Sequence, residues 1–250
     1  MKSQDSNFLR VVEEKERLLT AQSGQALSRE LLFFRINQDA FWALLTSHNN
    51  IPLAGKDEEL KKVTLKLSLK MMSISHVAMR LVIGGFILES LALFRVLNEI
   101  VRTSYYLKEK PNEINDYVSG ELWATSLLKR EQSLLGSQNK GPNELWVFLS
   151  QFTHSTVGLI DALTSEDEGK FSAGILNSDI EATKVVCRGI VSSFLLQYCN
   201  FRLVFHDVNE IPEAADKQLF KSELSQAIFD SEFLEILSHV YEEISKAETL

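Results

Sequence analysis

Proline and cysteine are scarce in this 250-residue chain, with four and two copies, and glycine occurs only eleven times. Sandwiches and barrels with many tight turns draw heavily on proline and glycine, so the shortage argues against an all-β architecture. An apolar signal-peptide core is also missing from the opening residues MKSQDSNFLR, which makes the cytoplasm the expected location. On one helix, Cys187 and Cys199 would stand roughly 18 Å apart along the axis and could not bridge. As isolated thiols they read as small core residues rather than redox or nucleophilic groups.

Several chemistries have no motif to carry them. No Gly-x-Ser-x-Gly elbow, Walker loop or Gly-x-Gly-x-x-Gly fingerprint occurs, so serine hydrolase, P-loop and dinucleotide-binding functions lack support and no cofactor is expected. The five histidines show no His-x-x-x-His, His-Glu-x-x-His or Glu-x-x-His spacing, and no metal site is expected. Ser150, His154 and Asp161 fall on one face of one predicted helix, but an Asp two turns beyond the imidazole cannot orient it as a triad requires.

Basic surface is also in short supply, since the formal net charge is −8. A duplex nucleic-acid partner is therefore not expected. Lys62, Lys66 and Lys70 stack at helical spacing, yet Glu58 and Glu59 lie just upstream, so the stripe reads as a solvated, partly paired face.

What the chain does have is an apolar content of 45%, enough for a sizeable core, with apolar residues recurring every three or four positions. The pattern predicts an all-α bundle of about eight helices in a single domain over residues 1–250. N-terminal helices within 1–50 and C-terminal helices within 210–250 flank a central bundle. The first helix is expected over about 5–21, ended by Ser-Gly-Gln, with Phe8, Val11, Val12, Leu18 and Leu19 buried. A second, over about 27–47, buries Leu31, Phe34, Phe41, Leu44 and Leu45.

Val-Thr-Leu-Lys-Leu-Ser-Leu-Lys at 63–70 alternates like a strand, and a hairpin is the alternative there. Leu60, Val63, Leu67, Met71, Ile74, Ala78 and Leu81 keep the helical period far longer, so a helix with Asp57 as N-cap is preferred. Gly84-Gly85 marks a kink or a close crossing. Further helices are expected over 86–109, 112–135, 143–164, 179–206 and, as one piece or two, 213–248. Ser178 and Glu181 offer a capping box, and TSEDEGKFSAG reads as a connection. The apolar run around 81–97 is interrupted by Glu89 and Arg95 and is too short to span a bilayer, so no membrane association is expected. Phe-Leu-Glu-Ile-Leu-Ser-His-Val-Tyr near the C-terminus could support a homodimer.

The most informative stretch is LALFRVLNEIVRTSYYL, residues 91–107. At 100° per residue, Arg95, Glu99, Arg102 and Tyr106 share one stripe on an otherwise apolar helix. A guanidinium in such surroundings needs a partner, and Glu99 at i+4 is placed to supply one. Leucines would often serve stability as well, so the pair invites a second role in packing specificity or ligand binding.

The Arg-x-x-x-Glu of this helix, the Tyr-Tyr-Leu and Pro after it, and the later Leu-Ser-x-x-x-His-Ser resemble an uncharacterised group of prokaryotic all-helical proteins related to HEPN-like bundles of toxin and phage-defence systems. The resemblance covers about residues 85–160. It implies a bundle in which Arg95, Glu99 and His154 converge, with Ser150 one turn before the histidine. HEPN ribonucleases also set an Arg and a His at fixed spacing on one helix. Arg202 and His206, with three residues between them, fall short of that spacing, so the ribonuclease activity does not carry over.

These readings lead to an expected function as a non-enzymatic interaction module, linked to stress or phage defence, with a ligand or protein partner held by Arg95, Glu99, Arg102, Tyr106, Ser150 and His154. The alternative is an enzyme acting on a phosphodiester or nucleotide, with His154 as acid/base and Arg95 holding the anion.

Overall fold

The computed structural model describes residues 8–47, 57–122, 126–127, 129–130, 164–167, 170–173 and 180–205. Six α-helices lie among these residues, so the all-α expectation holds, while a count of eight is not reached there. The helix expected over 213–248, residues 143–163 of the one expected over 143–164, and the capping residue Ser178 lie outside the described residues, while Thr164 is in a strand and not in a helix. TSEDEGKFSAG departs from its expected role as a connection, because Thr164–Asp167 and Lys170–Ala173 pair as an antiparallel two-stranded hairpin.

Helix α1, Phe8–Ala26, runs through the Ser-Gly-Gln expected to end it. The following helix α2, Ser28–Ser47, begins after a single residue. Helical hydrogen bonding continues across that residue, since Leu27 N–H donates to Ser23 O at 2.8 Å and Leu31 N–H to Leu27 O at 2.9 Å. A glycine costs a helix interior only about 1 kcal/mol, which buried Leu19 and Leu27 on either side readily offset. The expected inner face of α1 is only partly realised, for Val11 and Leu18 are exposed.

Helix α3, Glu58–Ile83, settles the ambiguous stretch in favour of helix. Val63 and Leu67 are buried, and so are the polar Thr64 and Ser68, whereas Leu69 is 42% exposed. A strand would have turned all the odd-numbered leucines to one side; burial here follows the 3.6-residue period. Asp57 does not cap the helix as expected: its φ is 70°, and its side chain makes no capping bond. Glu58 and Glu59 complement the positive end of the helix dipole instead.

Gly84-Gly85 is a helix stop. Gly85 takes φ 90°, Phe86 N–H donates to Leu81 O at 2.9 Å and Gly85 N–H to Val82 O at 3.1 Å, a Schellman arrangement that a β-carbon would strain. The chain reverses, and α4, Ile87–Glu109, packs back on α3, with Ser90 Oγ donating to Ala78 O at 3.0 Å. Pro111 opens a 3₁₀ turn over Pro111–Glu113 that leads into a short α5, Ile114–Ser119. The helix expected over 112–135 breaks at Gly120, which adopts a left-handed φ of 81°.

The last described helix, α6, Ile180–Val204, completes a central trio with α3 and α4. Cys187 Sγ lies 3.5 Å from Met79 Sδ, and Gln197 Nε2 donates to Ser68 Oγ at 3.0 Å, so α6 runs antiparallel to α3. Along α4, Gly189 meets Phe94 and Asn200 Nδ2 donates to Val101 O at 3.1 Å, so α4 and α6 run parallel. Both cysteines are free and buried, as expected of core thiols. Helix α2 seals one side: Phe34 and Phe41 meet Phe194 edge-on at 5.7 and 5.4 Å, and Phe41 also contacts Tyr198 and Phe201. Arg188 of α6 reaches buried Glu30 of α2 at 3.1 Å. Among the described residues, no helix is long and apolar enough to cross a membrane.

Candidate functional site

Helix α4 positions four of the six residues singled out from the sequence. Its apolar residues Leu91, Phe94, Leu97 and Ile100 bind it into the core, so its register is fixed. The polar stripe follows from that register.

Arg95 Nε lies 3.1 Å from Glu99 Oε1, in the i, i+4 relation, with side chains 17% and 25% exposed. The pair is therefore neither sealed nor fully hydrated. One turn further on the stripe closes, with Arg102 only 4% and Tyr106 only 2% exposed. The face thus grades from solvent-touching at Arg95 to buried at Tyr106.

Asn98 stands on the same side of the helix, three residues after Arg95 and four before Arg102. Its Oδ1 is buried and accepts no hydrogen bond among the described residues, and neither does Ser104 Oγ. A buried acceptor without a donor is costly, on the order of 1–3 kcal/mol, so an unmet carbonyl beside a half-open ion pair marks a place where a donor would be welcomed.

At the closed end the sequence reading missed two residues. Tyr106 donates its phenolic hydrogen to Glu113 Oε2 at 2.8 Å, and Arg130 Nη1 donates to the same oxygen at 2.6 Å. Burial and the hydrogen bond to Glu113 push the Tyr106 phenol above its ordinary range, with Arg130 pulling against them. The Tyr106 hydroxyl, helped by Arg130, holds Glu113 below the usual carboxylate range against a smaller effect of burial. The clue was available: Glu113 follows Tyr106 by seven residues, two helical turns, and Pro111 between them predicts a tight reversal. Arg130 carries no comparable signal.

Ser150 and His154 lie outside the described residues. The structure therefore brings together Arg95 and Glu99, sets Arg102 and Tyr106 behind them, and describes no imidazole at the site. No family model, no curated protein and no solved structure matches the chain.

Proposed function

We propose that the protein is a non-enzymatic helical interaction module whose recognition point is the polar face of α4 around Arg95, Asn98 and Glu99. The observation that carries this reading is an ion pair left partly open to solvent, 17% and 25% exposed, beside the unmet buried acceptor Asn98 Oδ1. A pair kept only for stability gains little from such a position, since partly exposed i, i+4 pairs contribute about 0.3–0.5 kcal/mol. Recognition gains more. A guanidinium presents a rigid fork to a carboxylate or phosphate, and Asn98 Oδ1 can accept an N–H from the same partner. A peptide carboxylate with its adjoining amide has both features. Arg102 and Tyr106 then act as the floor that holds α4 in register.

The test is a nuclear magnetic resonance titration of the full chain with acetate and with an N-acetylated dipeptide, following the Arg95 Nε–Hε and Asn98 amide signals. Saturable shifts in both that vanish in Arg95→Gln are the expected result. Signals that stay still with both probes would dismiss the reading.

A further inference from the structure

The outward face of α3 has no place in the α4 site. Between Glu59 and Glu89 the sequence contains no acidic residue, although the whole chain carries 34 of them, and the same span holds Lys61, Lys62, Lys66, Lys70 and Arg80. A second acid-free run, residues 182–206, belongs to α6, but there Lys184 and Arg188 are ion-paired and Arg202 is buried, so among the described residues the outward basic face is particular to α3.

The structure shows how those charges are presented. The exposed residues of α3 beyond Glu59 are Lys66, Leu69, Lys70, Ser73, His76, Val77 and Arg80. At 100° per residue they occupy a single arc of about 120°, and from Lys66 to Arg80 the face is about 21 Å long. Lys62, the first of the stacked lysines, is neutralised by ion pairs to Glu58 and Glu59. Lys66, Lys70 and Arg80 make no ion pair among the described residues. The partly paired face read from the sequence thus holds for the first turn alone. Glu16 of α1 approaches the turn at Gly84, past the far end of the face.

Two aliphatic side chains are interleaved with the cations, Leu69 at 42% and Val77 at 46% exposed. They stand eight residues apart, on the same side of the helix, with Lys70 and Ser73 between them. Leu69 is the residue that the helical register, as opposed to a strand, turns outward.

We infer that this face of α3 is a docking surface for an acidic amphipathic helix of a partner protein, its carboxylates meeting Lys66, Lys70 and Arg80 and its apolar side chains covering Leu69 and Val77. Charge complementarity selects an anionic partner, and the aliphatic pair selects among anions. Nucleic acid would set phosphates against Leu69 and Val77, and His76 is the one ring among the exposed residues of the face, too little for a run of stacked bases. A bilayer needs more apolar area than two side chains offer. An acidic helix offers carboxylates and aliphatic groups together on one face, the complement of the cations and aliphatic groups here.

The experiment uses the full chain and a synthetic helical peptide of about 20 residues, with Glu at i, i+4 positions and Leu between them. Fluorescence anisotropy of the labelled peptide should show saturable binding that weakens about tenfold or more in Lys66→Glu/Lys70→Glu. Binding should also weaken as salt rises from about 50 to about 300 mM. Leu69→Ser/Val77→Ser should weaken it too. All these α3 positions are exposed, and circular dichroism checks that each variant is folded. Absence of peptide binding, or binding indifferent to the lysine reversals, overturns the proposal. So does tighter binding of a DNA duplex, a DNA single strand or phosphatidylserine vesicles through the same lysines.

Discussion

The ring of Phe94 fills the space in which Gly189 would carry a β-carbon: a methyl there would lie 2.6 Å from Phe94 Cζ. Glycine at this point of α6 lets α4 approach closely enough for Phe94 to be buried. Gly189→Ala gains helix propensity of about 1 kcal/mol but overpacks a buried ring at a cost of about 1–3 kcal/mol, so the variant should be less stable on balance. Urea unfolding checks this, and adding Phe94→Leu to Gly189→Ala should recover part of the loss. A single variant as stable as the parent would show that the two helices are not held at this spacing.

Leu67 and Leu69 separate helix from strand in the stretch where the sequence fits both. On a strand they share a face and should tolerate truncation equally; on α3 Leu67 is buried and Leu69 exposed. Leu67→Ala should cost about 2–4 kcal/mol and Leu69→Ala less than about 0.5 kcal/mol. Chemical denaturation of both variants measures the difference, and equal losses would restore the hairpin.

How far the fold was legible depended on the length of each periodic signal. The long pattern from Leu60 onward identified α3 because no eight-residue alternation can match its span. Local stops were harder to read. Gly24 reads as a helix end because glycine is a common stop, yet it sits within α1, whereas Gly120 ends a helix the sequence pattern carries on. The two differ in backbone conformation, left-handed only at Gly120, and composition alone does not record that. The Arg95 and Glu99 pair was legible because i, i+4 charges on one helix need no tertiary information. Arg130 was not, because its contact with Glu113 depends on how the chain turns after α5.

Cys187 gives a probe of the core. Burial, aided by the nearby Glu30 carboxylate, pushes its thiol up to about 12, so almost no thiolate exists at neutral pH. Ellman's reagent should leave both buried cysteines unmodified in the native protein, and labelling in urea should follow global unfolding. Rapid native labelling of Cys187 would mean that the α3–α6 seam opens locally.

The Arg95 and Glu99 pair can be weighed by a double-mutant cycle with Arg95→Ala and Glu99→Ala. Because both side chains keep contact with water, the coupling in stability should be about 0.3–0.5 kcal/mol. A coupling above about 3 kcal/mol, the scale of a broken buried pair, would make the pair a determinant of the fold and would remove the reason for assigning it to recognition.

Tyr106, Glu113 and Arg130 predict a stability profile with two flanks. Glu113 is held below its ordinary value of 4.5, so its contribution is complete above that pH and is lost as the pH falls through its lowered folded value. Tyr106 is raised above its ordinary value of 10.0, so its contribution is complete below that pH and is lost as the pH rises through the raised value. Glu113→Gln should therefore flatten the acid flank, with the parent losing its advantage over the variant as pH drops from about 5 to about 3. Tyr106→Phe should cost about 1 kcal/mol at neutral pH, since it removes the donor to a carboxylate that Arg130 still holds. Above pH 10 that variant should lose the alkaline decline assigned to the phenol. Urea midpoints across the pH range test both flanks, and the physical basis is one carboxylate oxygen shared by two donors. Parallel profiles for parent and Glu113→Gln would mean that this oxygen is not shared in solution and that the end of α4 is held by its apolar contacts alone.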